Sequence, residues 1–131
     1  MIAFDTNLLV RLAAADDAKQ LATVRRLIAK ESVFISRTAM LETEWVLRSR
    51  YKIGRTQLHA FFVALLETDD VVVENATEIA RALDWFLQGA DFADALHLAI
   101  CGDALMHTFD QDFCKAARDA GDAPKIRVLK A

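Results

Sequence analysis

The sequence predicts an α/β domain: a parallel β-sheet with helices on both faces. Three observations carry that prediction. Short apolar runs without polar alternation recur at residues 2–4, 32–36, 71–73, 104–109 and 126–129, as expected for strands buried on both faces. Longer segments bearing helix-start and helix-stop residues lie between them, and strands alternating with helices require parallel crossovers. Acidic residues stand just past the first and fourth runs, Asp5 and Asp110, and ligands of open α/β sheets sit beyond the carboxyl ends of the strands.

Each element has its own signal. The run Ile2 to Phe4 ends in Asp-Thr-Asn, a strand followed by a turn. Asn7 to Ala14 reads as helical. Asp16 or Asp17 caps a helix running to about Lys30. Ser32 to Ser36 is the second strand, and a helix follows from about Thr38 to Tyr51, stopping near Gly54. Thr56 is placed to cap the next helix, to about Thr68, before the strand Val71 to Val73. Asn75 and Glu78 form an N-x-x-E capping pattern for a helix that ends at Gly89. Asp91 caps a helix to about Gly102, Ala104 to Phe109 is the fourth strand, Gln111 to Ala120 a helix, and Ile126 to Leu129 the fifth strand.

Composition sets limits on function. The 131 residues suit one domain, 1–131, with 54% hydrophobic and 27% charged residues and no linker, repeat or low-complexity tract. No apolar run approaches the ~18 residues of a membrane span, and no leader pattern opens the chain, so a soluble cytoplasmic protein is expected. Cys101 and Cys114 lack CxxC spacing and read as free thiols. A net charge of −3 argues against a general nucleic-acid binder, but Arg48, Arg50, Tyr51, Lys52 and Arg55 cluster. GxxxxGK[ST], GxGxxG and GxSxG are absent.

The chemistry lies in the carboxylates. On a helical wheel, Glu42 falls among Leu41, Trp45, Val46 and Ala39, on what reads as the apolar face. Glu44 falls beside Arg48 in the favourable i,i+4 order of a solvated pair. Asp94 sits in Phe92-Ala93-Asp94-Ala95-Leu96-His97-Leu98-Ala99-Ile100, apolar nearly all round and therefore buried. Asp91 suits either an N-cap or a metal contact. His97 lacks a second ligand at helical spacing and reads as a structural hydrogen-bonder. Taken singly, Asp5, Asp110 and Asp112 could each cap a turn or helix. Two such charges ~4 Å apart repel by roughly 4 kcal/mol at an effective dielectric near 20. If Asp5, Glu42, Asp94 and Asp110 converge they must raise one another's pKa values or bind a cation. All-oxygen ligation favours Mg²⁺ or Mn²⁺, and such an ion serves phosphodiester hydrolysis.

At these motifs the chain resembles the PIN-domain ribonucleases, specifically the VapC toxins of VapBC toxin–antitoxin pairs. The matching residues are Asp5-Thr6-Asn7, Glu42 before Trp45-Val46-Leu47, Asp91 and Asp94 in DFADALHLA, and Thr108-Phe109-Asp110 with Asp112-Phe113. Each motif alone is weak, but the ordered set spans about the whole chain. The resemblance implies a three-layer α/β/α fold with a five-stranded parallel sheet of order 3-2-1-4-5. It implies an Mg²⁺- or Mn²⁺-dependent endoribonuclease, a homodimer and a VapB-like antitoxin. Carried over, Asp5, Glu42, Asp94 and Asp110 are the metal and catalytic quartet, with Asp112 as the alternative fourth ligand. Asp91, Thr6, Asn7 and Thr108 are supporting residues. Arg37, Arg48, Arg50 and Lys52 are candidates for RNA contact, and the apolar faces of helices 38–51 and 56–68 (Phe61, Phe62, Leu65) for a groove that takes the antitoxin.

Competing readings fit less well. A haloacid-dehalogenase-type enzyme wants a second Asp where Asn7 stands, and a receiver domain wants an Asp after the third strand, where Glu74-Asn75 stand. A housekeeping RNA-processing nuclease, or a non-catalytic RNA- or protein-binding module on the same fold, are the alternatives to a toxin.

Overall fold

The computed structural model describes all residues, 1–131, in the order β1 (Ile2–Phe4), α1 (Thr6–Ala14), α2 (Ala18–Lys30), β2 (Val33–Ile35), α3 (Arg37–Ser49), α4 (Arg55–Glu67), β3 (Val71–Val73), α5 (Ala76–Leu87), α6 (Phe92–Ile100), β4 (Met106–Thr108), α7 (Lys115–Asp119) and β5 (Ile126–Val128). Two compact units divide the chain, Met1–Ala76 and Thr77–Ala131.

All ladders are parallel. In the first unit β2 lies between β1 and β3, with Ile2, Ala3 and Phe4 opposite Val33, Phe34 and Ile35, and these opposite Val71, Val72 and Val73. In the second unit β4 pairs with β5, Met106 opposite Ile126. The segments 3-2-1 and 4-5 of the expected order are therefore made, as two sheets rather than one five-stranded sheet. Each strand is only three residues long, so a ladder is a handful of hydrogen bonds. Only β2 is covered on both faces. Ala3, Val72, His107 and Arg127 are exposed, giving the outer strands the alternation that their sequences disguise.

Most helix starts follow their sequence signals. Asp5 caps α1 by accepting from Leu8 N, Asp17 caps α2 through Lys19 N and Gln20 N, and Asp91 caps α6 through Asp94 N, whereas Ser36, read as the end of the second strand, caps α3. Each satisfies backbone donors that a helix start leaves open. Two signals fail. Gly54, not Thr56, precedes α4, without a side-chain cap. Asn75 makes no capping box: it sits at φ 53° and its Oδ1 accepts from Arg37 Nη1 at 2.8 Å. The last helix is also shorter than 111–120. The Asp110 carboxylate accepts from Asp112 N at 2.9 Å and Cys114 is left-handed at φ 48°, so residues 111–114 are turns.

The core of the first unit gathers Phe4, Leu9, Val10, Val24, Val33, Ile35, Met40, Leu47, Leu58, Phe62 and Leu65. Phe62 and Leu65 are thus buried and Phe61 half-buried, so the face of α4 expected to stand open for a partner helix belongs to the core. In the second unit Phe86 packs edge-to-face on Phe92 at 5.7 Å, among Ile79, Leu83, Ala95 and Leu98. No helix is long and apolar enough to cross a membrane.

Candidate functional site

The wheel placed the two glutamates of α3 the wrong way round. The buried residues of α3 are Ala39, Met40, Thr43, Glu44 and Leu47. Glu44 is only 2% exposed and holds Arg48, with Nε to Oε2 at 2.8 Å. Glu42 is exposed. The expected Glu44–Arg48 pair is made, but at the rim of the core rather than on a solvated surface. The wheel failed because Leu41, Trp45 and Val46, which drew the apolar arc, are half-buried or exposed, while Thr43 and Glu44 reach inward. Thr43 satisfies itself by donating to Ala39 O at 2.6 Å, and Glu44 is satisfied by a guanidinium, so a polar pair occupies positions the wheel gave to solvent.

Glu42 instead opens onto a cleft of about 340 Å³ shared with Asp5, Thr6, Asn7, Val10, Arg11, Val46, Arg50 and Tyr51. The strand-to-helix turn after β1 supplies one wall. There Asp5 is exposed, and its Oδ1 accepts from Leu8 N at 3.2 Å, which fixes the carboxylate at the start of α1. Successive turns of α3 supply the other wall: Glu42, Val46 and Arg50, four residues apart, lie on one side of the helix. Two carboxylates and two guanidinium groups therefore line one open depression.

A network absent from the sequence reading closes this cleft. Arg11 donates from Nη1 to Asp16 Oδ1 at 2.7 Å and from Nη2 to the Tyr51 hydroxyl at 2.6 Å, and Tyr51 donates to Asp16 Oδ2 at 3.3 Å. The network ties the end of α1 to the turn before α2 and to Tyr51, two residues past α3. Its one signal in the sequence was a lone arginine inside an apolar helix, TNLLVRLAA.

In the second unit Asp94 is half-buried on α6, beneath the cap made by Asp91, whose Oδ2 accepts from Asp94 N at 3.1 Å. Burial raises the Asp94 pKa above the usual carboxylate value; the charges of Asp91 and Asp110 raise it further, and His97 opposes them. Three carboxylates thus share a field there. His97, read as a structural hydrogen-bonder, is exposed. Thr108 Oγ1 accepts from Asp110 N at 3.0 Å, and Asp110 in turn orders Asp112. Phe109, beside Asp110, is 67% exposed. Cys114 is buried and its thiol is pushed up to about 11, first by burial and then by Asp94.

The basic candidates divide. Arg37 is held by Asn75 and its backbone N–H by Glu74 Oε1 at 2.9 Å, and Arg48 by Glu44. Arg50 lines the cleft, and Lys52 is exposed at φ 56°.

In neither unit do three or more His, Cys, Asp or Glu side chains stand arranged to hold a metal ion. The donor set is nonetheless of the right kind. All donors are oxygens, Asp5 and Glu42 open to one cleft, and a hard ion such as Mg²⁺ usually keeps several waters and takes only one or two carboxylates.

Residues 2–119, which span both units, match the model of the PIN domain. No curated protein shows detectable similarity. Among solved structures, the chain is similar to Mycobacterium tuberculosis VapC20, described as a sarcin–ricin loop cleaving toxin, at 25% identity and a TM-score of 0.45 over 97% of this chain and 99% of that one. The cleft formed by Asp5 and Glu42 and the carboxylate group around Asp94 lie within the matched residues, and the chain belongs to the PIN-domain family.

Proposed function

We propose that this chain is a divalent-metal-dependent endoribonuclease acting as the toxin of a toxin–antitoxin pair. The observation that carries the reading is the cleft in which the Asp5 and Glu42 carboxylates stand together, exposed, with Arg11 and Arg50 beside them. Glu42 faces the depression with no ion-pair partner, and the Asp5 carboxylate uses only Oδ1 in its helix cap, whereas Glu44, two residues beyond Glu42, is held by Arg48. Asp5, Glu42, Asp94 and Asp110 are the residues that would hold Mg²⁺ or Mn²⁺, with Asp112 as the alternative to Asp110. When bound, the ion supplies Lewis acidity toward a phosphoryl oxygen and a lowered pKa for water.

The chain's own groups have separable tasks. Leu8 N–H orients the Asp5 carboxylate. Asp91 holds the first turn of α6, and with it Asp94, in place. The Thr108 hydroxyl sets the turn that presents Asp110. Arg50, on the wall opposite Asp5, is placed to attract the phosphate backbone. The toxin assignment rests on the ordered motif set, and it brings with it a VapB-like antitoxin and a homodimer.

The test joins chemistry and physiology. Purified protein should cleave RNA with Mg²⁺ or Mn²⁺ and not with EDTA, and Glu42→Gln should abolish cleavage without loss of fold. Expression alone should arrest growth, and co-expression with the neighbouring small reading frame should restore it. Cleavage without growth arrest would make the chain a housekeeping RNA-processing nuclease. No metal-dependent cleavage by soluble protein would overturn the enzymatic reading.

A further inference from the structure

Trp45 is the large aromatic of α3 that the core does not use. It is 51% exposed, whereas the other tryptophan, Trp85, is 2% exposed beneath Arg81. Trp45 follows Glu42 by three residues, so the two are neighbours on adjacent turns. The Arg50 guanidinium carbon lies 6.0 Å from the Trp45 ring centroid, and Arg50 also lines the cleft that holds Asp5 and Glu42. An exposed indole and a guanidinium on α3 and its C-cap therefore stand beside a cleft whose two walls carry the Glu42 and Asp5 carboxylates.

About half of the Trp45 surface lies outside the core, and its ring stands beside the Arg50 guanidinium where a flat ligand can reach it. Its chemistry narrows the choice. A flat π face beside a cation, next to a cleft suited to phosphodiester chemistry, matches an unstacked nucleobase with its adjoining phosphate. Unpaired bases in RNA loops stack on aromatic rings and guanidinium planes, whereas duplex bases keep their faces hidden. Resting on the ribonuclease reading above, we propose that Trp45 and Arg50 form a base-stacking shelf: an unpaired base next to the scissile phosphate lies on Trp45, and Arg50 holds its phosphate. The shelf selects RNA loops over duplexes and sets which nucleotide reaches the carboxylates.

Trp45 is also an optical probe, because Trp85 is shielded. The experiment titrates a stem–loop RNA with an unpaired loop into the protein in EDTA, which prevents cleavage. A fully paired duplex of the same composition and the same stem–loop with abasic loop positions are run in parallel. The loop RNA should quench the exposed tryptophan, and the duplex and abasic RNAs should not. Trp45→Ala should weaken loop binding about 5- to 100-fold, Trp45→Phe should retain most of it, and Arg50→Ala should weaken it and flatten its salt dependence.

Four results would overturn the shelf: no quenching at saturating RNA, equal affinity of Trp45→Ala and wild type, equal affinity for the intact and abasic loops, or an altered oligomeric state in Trp45→Ala with RNA affinity unchanged. The last would make this surface a protein interface. A separate Mg²⁺ cleavage assay distinguishes the two readings. Quenching that requires loop bases, without cleavage, keeps the shelf and removes the nuclease. Cleavage unaffected by Trp45→Ala keeps the nuclease and removes the shelf.

Discussion

The Glu44–Arg48 pair makes an asymmetric prediction. The carboxylate is 2% exposed and the guanidinium side chain 47% exposed, joined at 2.8 Å. Removing either partner breaks the same contact, but what remains differs. Arg48→Met keeps the aliphatic stem and strands a carboxylate in the rim of the core, which costs about 3 kcal/mol, the low end for an orphaned buried charge. Glu44→Gln keeps the volume and leaves a guanidinium that water can reach, so the loss falls to about 1 kcal/mol or less after solvent screening. For a chain of this length each kcal/mol moves the melting temperature by about 3–5 °C. Arg48→Met should therefore lose about 9–15 °C and Glu44→Gln no more than about 5 °C. The double variant should recover much of the Arg48→Met loss, because no stranded charge remains. Thermal unfolding by circular dichroism at pH 7 measures all three. Equal losses in the two single variants, or a larger one in Glu44→Gln, would refute the argument.

Other consequences are as direct. Burial and the neighbouring charges of Asp91 and Asp110 raise the Asp94 pKa in the folded state, so ionised Asp94 disfavours folding as pH rises through that value. Asp94→Asn should then raise the metal-free melting temperature at pH 7, with the gain vanishing below about pH 4, where unfolded aspartate is protonated as well; no gain at pH 7 would contradict it. Cys114, buried with its thiol pushed up to about 11, should stay unalkylated by iodoacetamide at pH 8 in the native protein and react after denaturation, as read by mass spectrometry. Asp17 accepts from two backbone donors at the start of α2, so Asp17→Ala should cost about 1 kcal/mol in urea unfolding, and Asp17→Asn much less.

Much of this protein was legible in its sequence because the signals are local. Caps at Asp5, Asp17 and Asp91, and stops at Gly89 and Gly102, where φ is positive, involve residues within a few positions of one another. Strand positions followed from apolar runs too short for helices, and the ordered acidic motifs indicated the family that the PIN-domain match established. Asp94 was expected to be buried, but it is only half-buried, on the side of α6 where His97, one turn on, is exposed.

Tertiary structure decided what depends on partners distant in sequence. Asn75 has the residue type of a cap, but Arg37, 38 positions earlier, takes its side chain. Arg11 carries no sequence signal that pairs it with Tyr51, 40 positions on, yet the two close a network. Glu42 and Glu44 differ by two positions on one helix, and composition alone pointed to the wrong one as buried. A wheel orders residues around an axis, but the packing of α3 chooses which arc faces inward. Here a threonine bonded to its own helix and a glutamate bonded to an arginine satisfy their polar groups within the buried arc. Glu42 and Val46 are thereby left at the cleft, and the apolar Trp45 is left exposed.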